Sequence, residues 1–174
     1  MKTETALQTI IFLALLALLA LLQGCGFHLR GTGTSAANLP ADISPLLIEG
    51  LAQRDFLKLE LENMFINSGI QVTNDTAEAA SILHITGRQS DRRVKTVDSR
   101  GKVVEYELRE SLGFELADRA GNLRAPIQSV SVIQIYTNRA TQVLGSQQEE
   151  SYLREDMWRR LSSQILRRLS TQLR

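Results

Sequence analysis

The sequence predicts an α+β domain, a two-layer sandwich in which two helices pack on one mostly antiparallel sheet of about four strands. Three observations carry that expectation. Apolar residues fall at helical spacing in two separate segments, one around 57–65 and one around 153–173. Between them, three long segments alternate with a period of two, and turn signals at 98–101 and 119–122 join them into a meander. The totals agree: 174 residues, formal net charge +1, 43% hydrophobic and 22% charged. That size suits one domain with a real core, and the balanced charge and ordinary apolar share exclude a disordered tail. With 11 Gly, 3 Pro and 1 Cys the chain is neither collagenous nor a disulfide scaffold. The near-neutral balance also argues against nucleic acid as a partner.

The elements follow in order. Ile10 to Leu22 is an unbroken run of thirteen apolar residues, shorter than the roughly 20 that a membrane span needs and of the length of a signal-peptide core. Leu22, Gln23, Gly24 and Cys25 then look like a bacterial lipobox. Residues 1–24 are therefore expected to be a lipoprotein signal peptide, with a diacylglycerol on Cys25, the only covalent group or cofactor foreseen. Two or three acyl chains anchor a protein stably where one does not. By analogy with lipoprotein sorting, Gly26 after the cysteine favours the outer membrane. Residues 25–42 lack periodicity and are rich in turn formers, which suits a lipidated tether, and 43–174 form the single sandwich domain.

Leu46, Leu47 and Ile48, bounded by Pro45 and Gly50, read as a first strand. Asp55 precedes Leu57, Leu61, Met64 and Phe65, and Gly69 follows, as in a capped helix; Lys58, Glu60, Glu62 and Asn67 are expected to face water. Residues 70–73 suit a brief strand. From Ser81 a long strand runs to Val97, and its return strand places Val104, Tyr106, Leu108, Leu112, Phe114 and Leu116 on one face, interrupted once by Glu110. The next strand, 127–137, is apolar on both faces: Val130, Val132 and Tyr136 on one, Ile127, Ile133 and Ile135 on the other. A strand apolar on both faces needs cover on both sides. With both helices on one face, the second face is covered either by the tether or a loop, or by something outside the chain. Residues 149–174 form an amphipathic helix along Leu153, Met157, Leu161, Ile165, Leu169 and Leu173, with acids near its start and arginines near its end, as the helix dipole prefers.

Catalytic chemistry does not assemble. His28 lies in the tether and His84 on a strand, neither with a partner at nucleophile or metal-ligand spacing, and the one Cys is expected to be acylated. The chain is therefore expected not to be an enzyme and to hold no metal. One charge feature stands out: Arg88, Arg92, Arg93, Lys95, Arg100 and Lys102 face only Asp91 and Asp98 in the same stretch, a local excess of four. Hairpin pairing gathers them at one end. Arg and Lys there suit phosphate groups, and a solvated basic strand end suits them equally well.

The lipobox followed by Gly26, Phe27, His28, Leu29, Arg30 and Gly31, the return strand with Glu105 and Tyr106, the strand ending near Tyr136, Thr137 and Asn138, and the terminal helix together resemble the LPS-assembly lipoprotein LptE family. The resemblance covers essentially the whole chain after Gly24. It implies a non-enzymatic outer-membrane subunit of the lipopolysaccharide translocon, on the periplasmic side and inside the lumen of an LptD-type β-barrel. Such a subunit plugs that barrel, assists its assembly and binds lipopolysaccharide. It further implies lipopolysaccharide contacts at Arg100 and Lys102, with Arg92, Arg93 and Lys95 across the hairpin. A second basic position of the family has no counterpart in the loop 144–148, and Arg139 is the nearest cation. The alternative is an envelope lipoprotein adaptor with a different periplasmic or cell-wall partner.

Overall fold

The structure is a computed structural model that describes residues 39–137 and 143–173, with side chains of the last helix described from Gln148 onward. A short 3-10 turn, Ala41–Ile43, leads into strand β1 (Leu46–Glu49), helix α1 (Phe56–Asn67) and the two-residue strand β2 (Val72–Thr73). Three long strands follow, β3 (Ser81–Val97), β4 (Val103–Asp118) and β5 (Leu123–Thr137), and then helix α2 (Val143–Gln172). The sheet has five strands in the order β2-β1-β3-β4-β5. β1 is parallel to both of its neighbours, whereas β3, β4 and β5 form an antiparallel meander. The sheet is thus mixed, with the brief strand after α1 as its fifth member.

Each boundary has a local cause. Asp55 caps α1 by accepting the Leu57 N–H at 2.9 Å, satisfying one of the amides a helix start leaves unpaired. Gly50 ends β1 with φ +88°, and a Cβ there would lie 2.0 Å from the Ile85 carbonyl oxygen, so only glycine fits. Asp98 closes the β3–β4 turn by accepting the N–H groups of Arg100 and Lys102, both at 2.9 Å. Asp118 does the same for Ala120 and Asn122 in the next turn. The Asn122 side-chain amide adds a further bond, and these bonds hold the Asp118 carboxyl below its usual pKa. Helix α2 begins six residues before the expected start at Glu149, so the segment 144–148 is helical and not a loop.

Both helices lie on one face of the sheet. Leu57, Leu61 and Phe65 of α1 join Met157, Trp158, Leu161, Ile165 and Leu169 of α2 against Leu83, Ile85, Leu108, Leu112, Phe114, Val130 and Val132. Burying side chains of this size is worth about 1.5–3 kcal/mol each and is what ties the two layers together. Lys58 does not face water as its position on α1 suggests. Its side chain is 5% exposed, and its ammonium donates to Gln53 at 3.0 Å and Asn74 at 3.2 Å. Among the described residues no helix covers the opposite face, and Ile127, Ile133 and Ile135 of β5 stand 65%, 47% and 43% exposed there. No helix among the described residues is long and apolar enough to cross a membrane.

A bulge in β3 decides which side chains of the long hairpin meet the helices. Thr86 pairs with Gly113 but Gln89 with Ser111, so β3 holds one extra residue, and Gly87 takes φ +57° at that point. Before the bulge odd-numbered residues such as Leu83 and Ile85 face the core. After it, Ser90, Arg92 and Val94 lie opposite Glu110, Leu108 and Tyr106 on the helix side. Asp91 and Arg93 lie opposite Arg109 and Glu107 on the open side.

Candidate functional site

The candidate site is the distal half of the β3–β4 hairpin, and the structure sorts its six cations by what neutralises them. Arg88, at the bulge, pairs with Asp55 of the α1 cap, and its guanidinium lies 4.1 Å from the centre of the Trp158 ring. Arg92 donates to Glu150 of α2 at 2.9 Å and covers the face of Tyr106 at 4.8 Å. Arg93 and Lys95 converge on the two oxygens of Glu107, at 2.6 Å and 3.4 Å. Glu107 is only 4% exposed, so it is a neutralising partner and not the solvated strand carboxylate that its alternating position suggests.

Arg100 and Lys102 differ from the other four. Both sit at the turn, both are exposed, and among the described residues neither side chain has an ion-pair or hydrogen-bond partner. Asp98 shares the turn with them, and one of its oxygens is occupied by their backbone N–H groups. The hairpin therefore ends in two uncommitted cations. Of the five expected contact residues, the turn brings Arg100 and Lys102 together at the tip, whereas Arg92, Arg93 and Lys95 are engaged by carboxylates further down. Cys25, the signal segment and Arg139 lie outside the described residues.

A second charged group, not anticipated as such, joins the hairpin root to α2. Glu110, which interrupts the apolar face of β4, is completely buried and pairs with Arg154 of α2. Ser90 donates to the same Glu110 oxygen at 2.7 Å, while the other oxygen has no hydrogen-bond partner. Arg154 also donates to Glu150 at 2.7 Å, and the Tyr136 hydroxyl donates to Glu150 at 3.0 Å. Burial alone would raise the Glu150 carboxyl, but bonds from Arg154, Arg92 and Tyr136 outweigh it and hold it below the usual range. The Tyr136 hydroxyl is pushed up, first by burial and then by Glu150. Only the interruption at Glu110 signalled this group in the sequence. Its partners Ser90 and Arg154 lie 20 and 44 residues away.

The open face of the sheet and a cationic hairpin suit binding: an apolar surface to set against a partner, and two donors to meet anionic groups. Fold and site define a two-layer α+β domain with an open apolar sheet face and a cationic hairpin tip. Comparison with known proteins makes that specific. The family model described as LptE, lipopolysaccharide-assembly, matches residues 33–169, and the chain belongs to that family. It is 24% identical over 149 residues to the LPS-assembly lipoprotein LptE of Pectobacterium atrosepticum, covering 85% of this chain and 78% of that one.

Two solved structures share the fold. A minor lipoprotein from Acinetobacter baumannii superposes with a TM-score of 0.64 at 27% identity, over 76% of this chain and 94% of the other. Lipoprotein B from Nitrosomonas europaea gives 0.65 at 26% identity, over 83% and 90%. The protein is accordingly an envelope lipoprotein of lipopolysaccharide assembly, with a role in lipopolysaccharide transport.

Proposed function

We propose that the chain is a lipid-anchored outer-membrane subunit of the lipopolysaccharide translocon that plugs an LptD-type β-barrel, assists its assembly and binds lipopolysaccharide without catalysing a reaction. On this reading residues 1–24 are removed, Cys25 carries the lipid, residues 25–42 tether the domain, and the domain stands on the periplasmic side and in the barrel lumen. The observation that carries it is the pair Arg100 and Lys102, unpartnered among the described residues at the tip of a long hairpin in a chain of this family. The isoleucines on the open face of β5 support the plug, since they would be covered by the inner wall of the barrel.

The chemistry follows from the tip. A guanidinium fork and an ammonium meet lipid A phosphates by charge-assisted hydrogen bonds, and in doing so compete with the divalent cations that bridge neighbouring lipopolysaccharide molecules. Each cation near an anionic lipid surface is worth about 1 kcal/mol, so the pair together shifts affinity by roughly tenfold or more. The Arg100→Glu, Lys102→Glu double variant tests this. It is expected to weaken binding to purified lipopolysaccharide most at low salt and progressively less as salt rises. Unchanged binding at low salt would remove the tip from the account.

A further inference from the structure

We propose that Arg92 and Glu150 are positioning residues that fix the angle at which the hairpin presents its tip, and that Arg92 is not itself a ligand for phosphate. The inference rests on the reading of Arg100 and Lys102 as the lipopolysaccharide contacts. From residue 87 to residue 102 every residue of the hairpin's first arm and turn is exposed, so this arm has little packing of its own. Among the described residues Arg92 is the outermost of that arm to make a side-chain hydrogen bond or ion pair outside the hairpin, the bond to Glu150 of α2. Further out, its contacts are to β4 alone: Arg93 and Lys95 to Glu107, and Thr96 to Glu105.

That places Arg92 at the base of a lever. Five residues of strand separate Arg92 from Val97, where the turn begins, about 17 Å of arm, and a rotation of about 10° at the base moves the tip by about 3 Å. Ion-pair geometry at a phosphate tolerates far less than that. The base is held on both sides. Arg92 stacks on Tyr106, Tyr106 stacks on Tyr136 with ring centres 5.6 Å apart, and the Tyr136 hydroxyl returns to the same Glu150 oxygen that Arg92 reaches. β3, β5 and α2 thus meet at one carboxylate, with Tyr106 of β4 stacked between Arg92 and Tyr136. Glu150 is in turn oriented by Arg154, which is anchored on buried Glu110. The Arg92 guanidinium is thus oriented by a ring on one face and by the Glu150 carboxylate at one donor, contacts that suit holding the arm. The pairing also raises its pKa, through the Glu150 hydrogen bond first.

The two possible roles of Arg92 give opposite results when Glu150 is neutralised. Lipopolysaccharide binding by the full chain is measured across a salt series for Glu150→Gln, Arg92→Gln and the double variant, with the Arg100→Glu, Lys102→Glu protein alongside. Positioning predicts that each single variant weakens binding by about threefold to tenfold, with the double no worse than the weaker binder of the two. It also predicts an unchanged slope of log affinity against log salt, because no ion contact to the ligand is lost. If Arg92 is a ligand, Glu150→Gln leaves binding unchanged or tightens it, and Arg92→Gln lowers the slope; either result overturns the proposal. A second measurement needs no ligand. Nitroxide labels at Ser99→Cys and Arg167→Cys, in a Cys25→Ser chain, report the tip-to-helix distance. Glu150→Gln should broaden its distribution, and an unchanged distribution overturns the proposal whatever the tip variant does. Failure of the tip variant alone would instead remove the reading on which the inference rests.

Discussion

Replacing Arg154 by Met tests whether the charges between sheet and helix are desolvated. Glu110 has no exposed surface, one of its oxygens has no hydrogen-bond partner, and the other is shared by Arg154 and Ser90. Removing the arginine leaves a buried carboxylate with one hydroxyl donor. Breaking such a pair from one side costs about 3–5 kcal/mol, and the lower end applies because Arg154 keeps 23% of its side chain exposed. For a domain of this size a loss of about 3 kcal/mol lowers the melting temperature by roughly 6–12 °C. The companion variant carries Arg154→Met together with Glu110→Leu. Residue 110 lies on the face of β4 that holds Leu108 and Leu112, so a leucine there continues an apolar stripe. Replacing both partners by apolar groups should bring stability back to within about 1 kcal/mol of the parent. Urea unfolding followed by circular dichroism gives all three free energies. A single variant within about 0.5 kcal/mol of the parent, or a double variant no more stable than the single, would refute the reasoning.

Other expectations follow from the same geometry. Gly50→Ala puts a methyl group against the Ile85 carbonyl at a positive φ, so it should cost at least about 2 kcal/mol in the same unfolding assay, with the loss spread over β1 and β3. The lowered pKa of Glu150 contributes stability that is present above its unfolded-state value and is lost as pH falls through its depressed folded-state value. A Glu150→Gln chain should therefore lose less stability than the parent across that acid range when melting is followed against pH. Ile133→Glu with Ile135→Glu should leave the isolated domain nearly as stable as the parent, because both side chains are already half exposed, yet should abolish its detergent-resistant recovery with an LptD-type barrel.

The parts of the fold carried by periodicity were legible in the sequence. Met157, Leu161, Ile165 and Leu169 line the buried side of α2 as their four-residue spacing requires, and the two apolar faces of β5 divide into a helix-covered face and an open one. What periodicity cannot carry is a change of parity inside a polar stretch. Gln89 through Arg93 contains no apolar residue, so nothing in the order of side chains shows that the bulge at Gly87 turns Ser90 and Arg92 toward α2. Partnership across long separations was also hidden. The local excess of positive charge at 88–102 was visible, but its neutralisation by Asp55, Glu107 and Glu150 depends on strand register and helix placement, and Arg92 and Glu150 are 58 residues apart. Lys58 illustrates the same point. Its spacing on α1 reads as exposed, while Gln53 and Asn74 make a buried ammonium tolerable.

The central claim is that this chain occupies the lumen of an outer-membrane barrel with its open sheet face covered and its hairpin tip free to meet lipopolysaccharide. The most direct measurement is purification of the intact chain from outer membranes through stringent detergent washing, with identification of whatever remains bound. The account predicts a stoichiometric LptD-type β-barrel that stays bound to the parent chain and to the Arg100→Glu, Lys102→Glu variant, and is lost with the Ile133→Glu, Ile135→Glu variant. Recovery of a soluble periplasmic or cell-wall partner in place of the barrel, or a barrel that remains bound to the isoleucine variant, would contradict it.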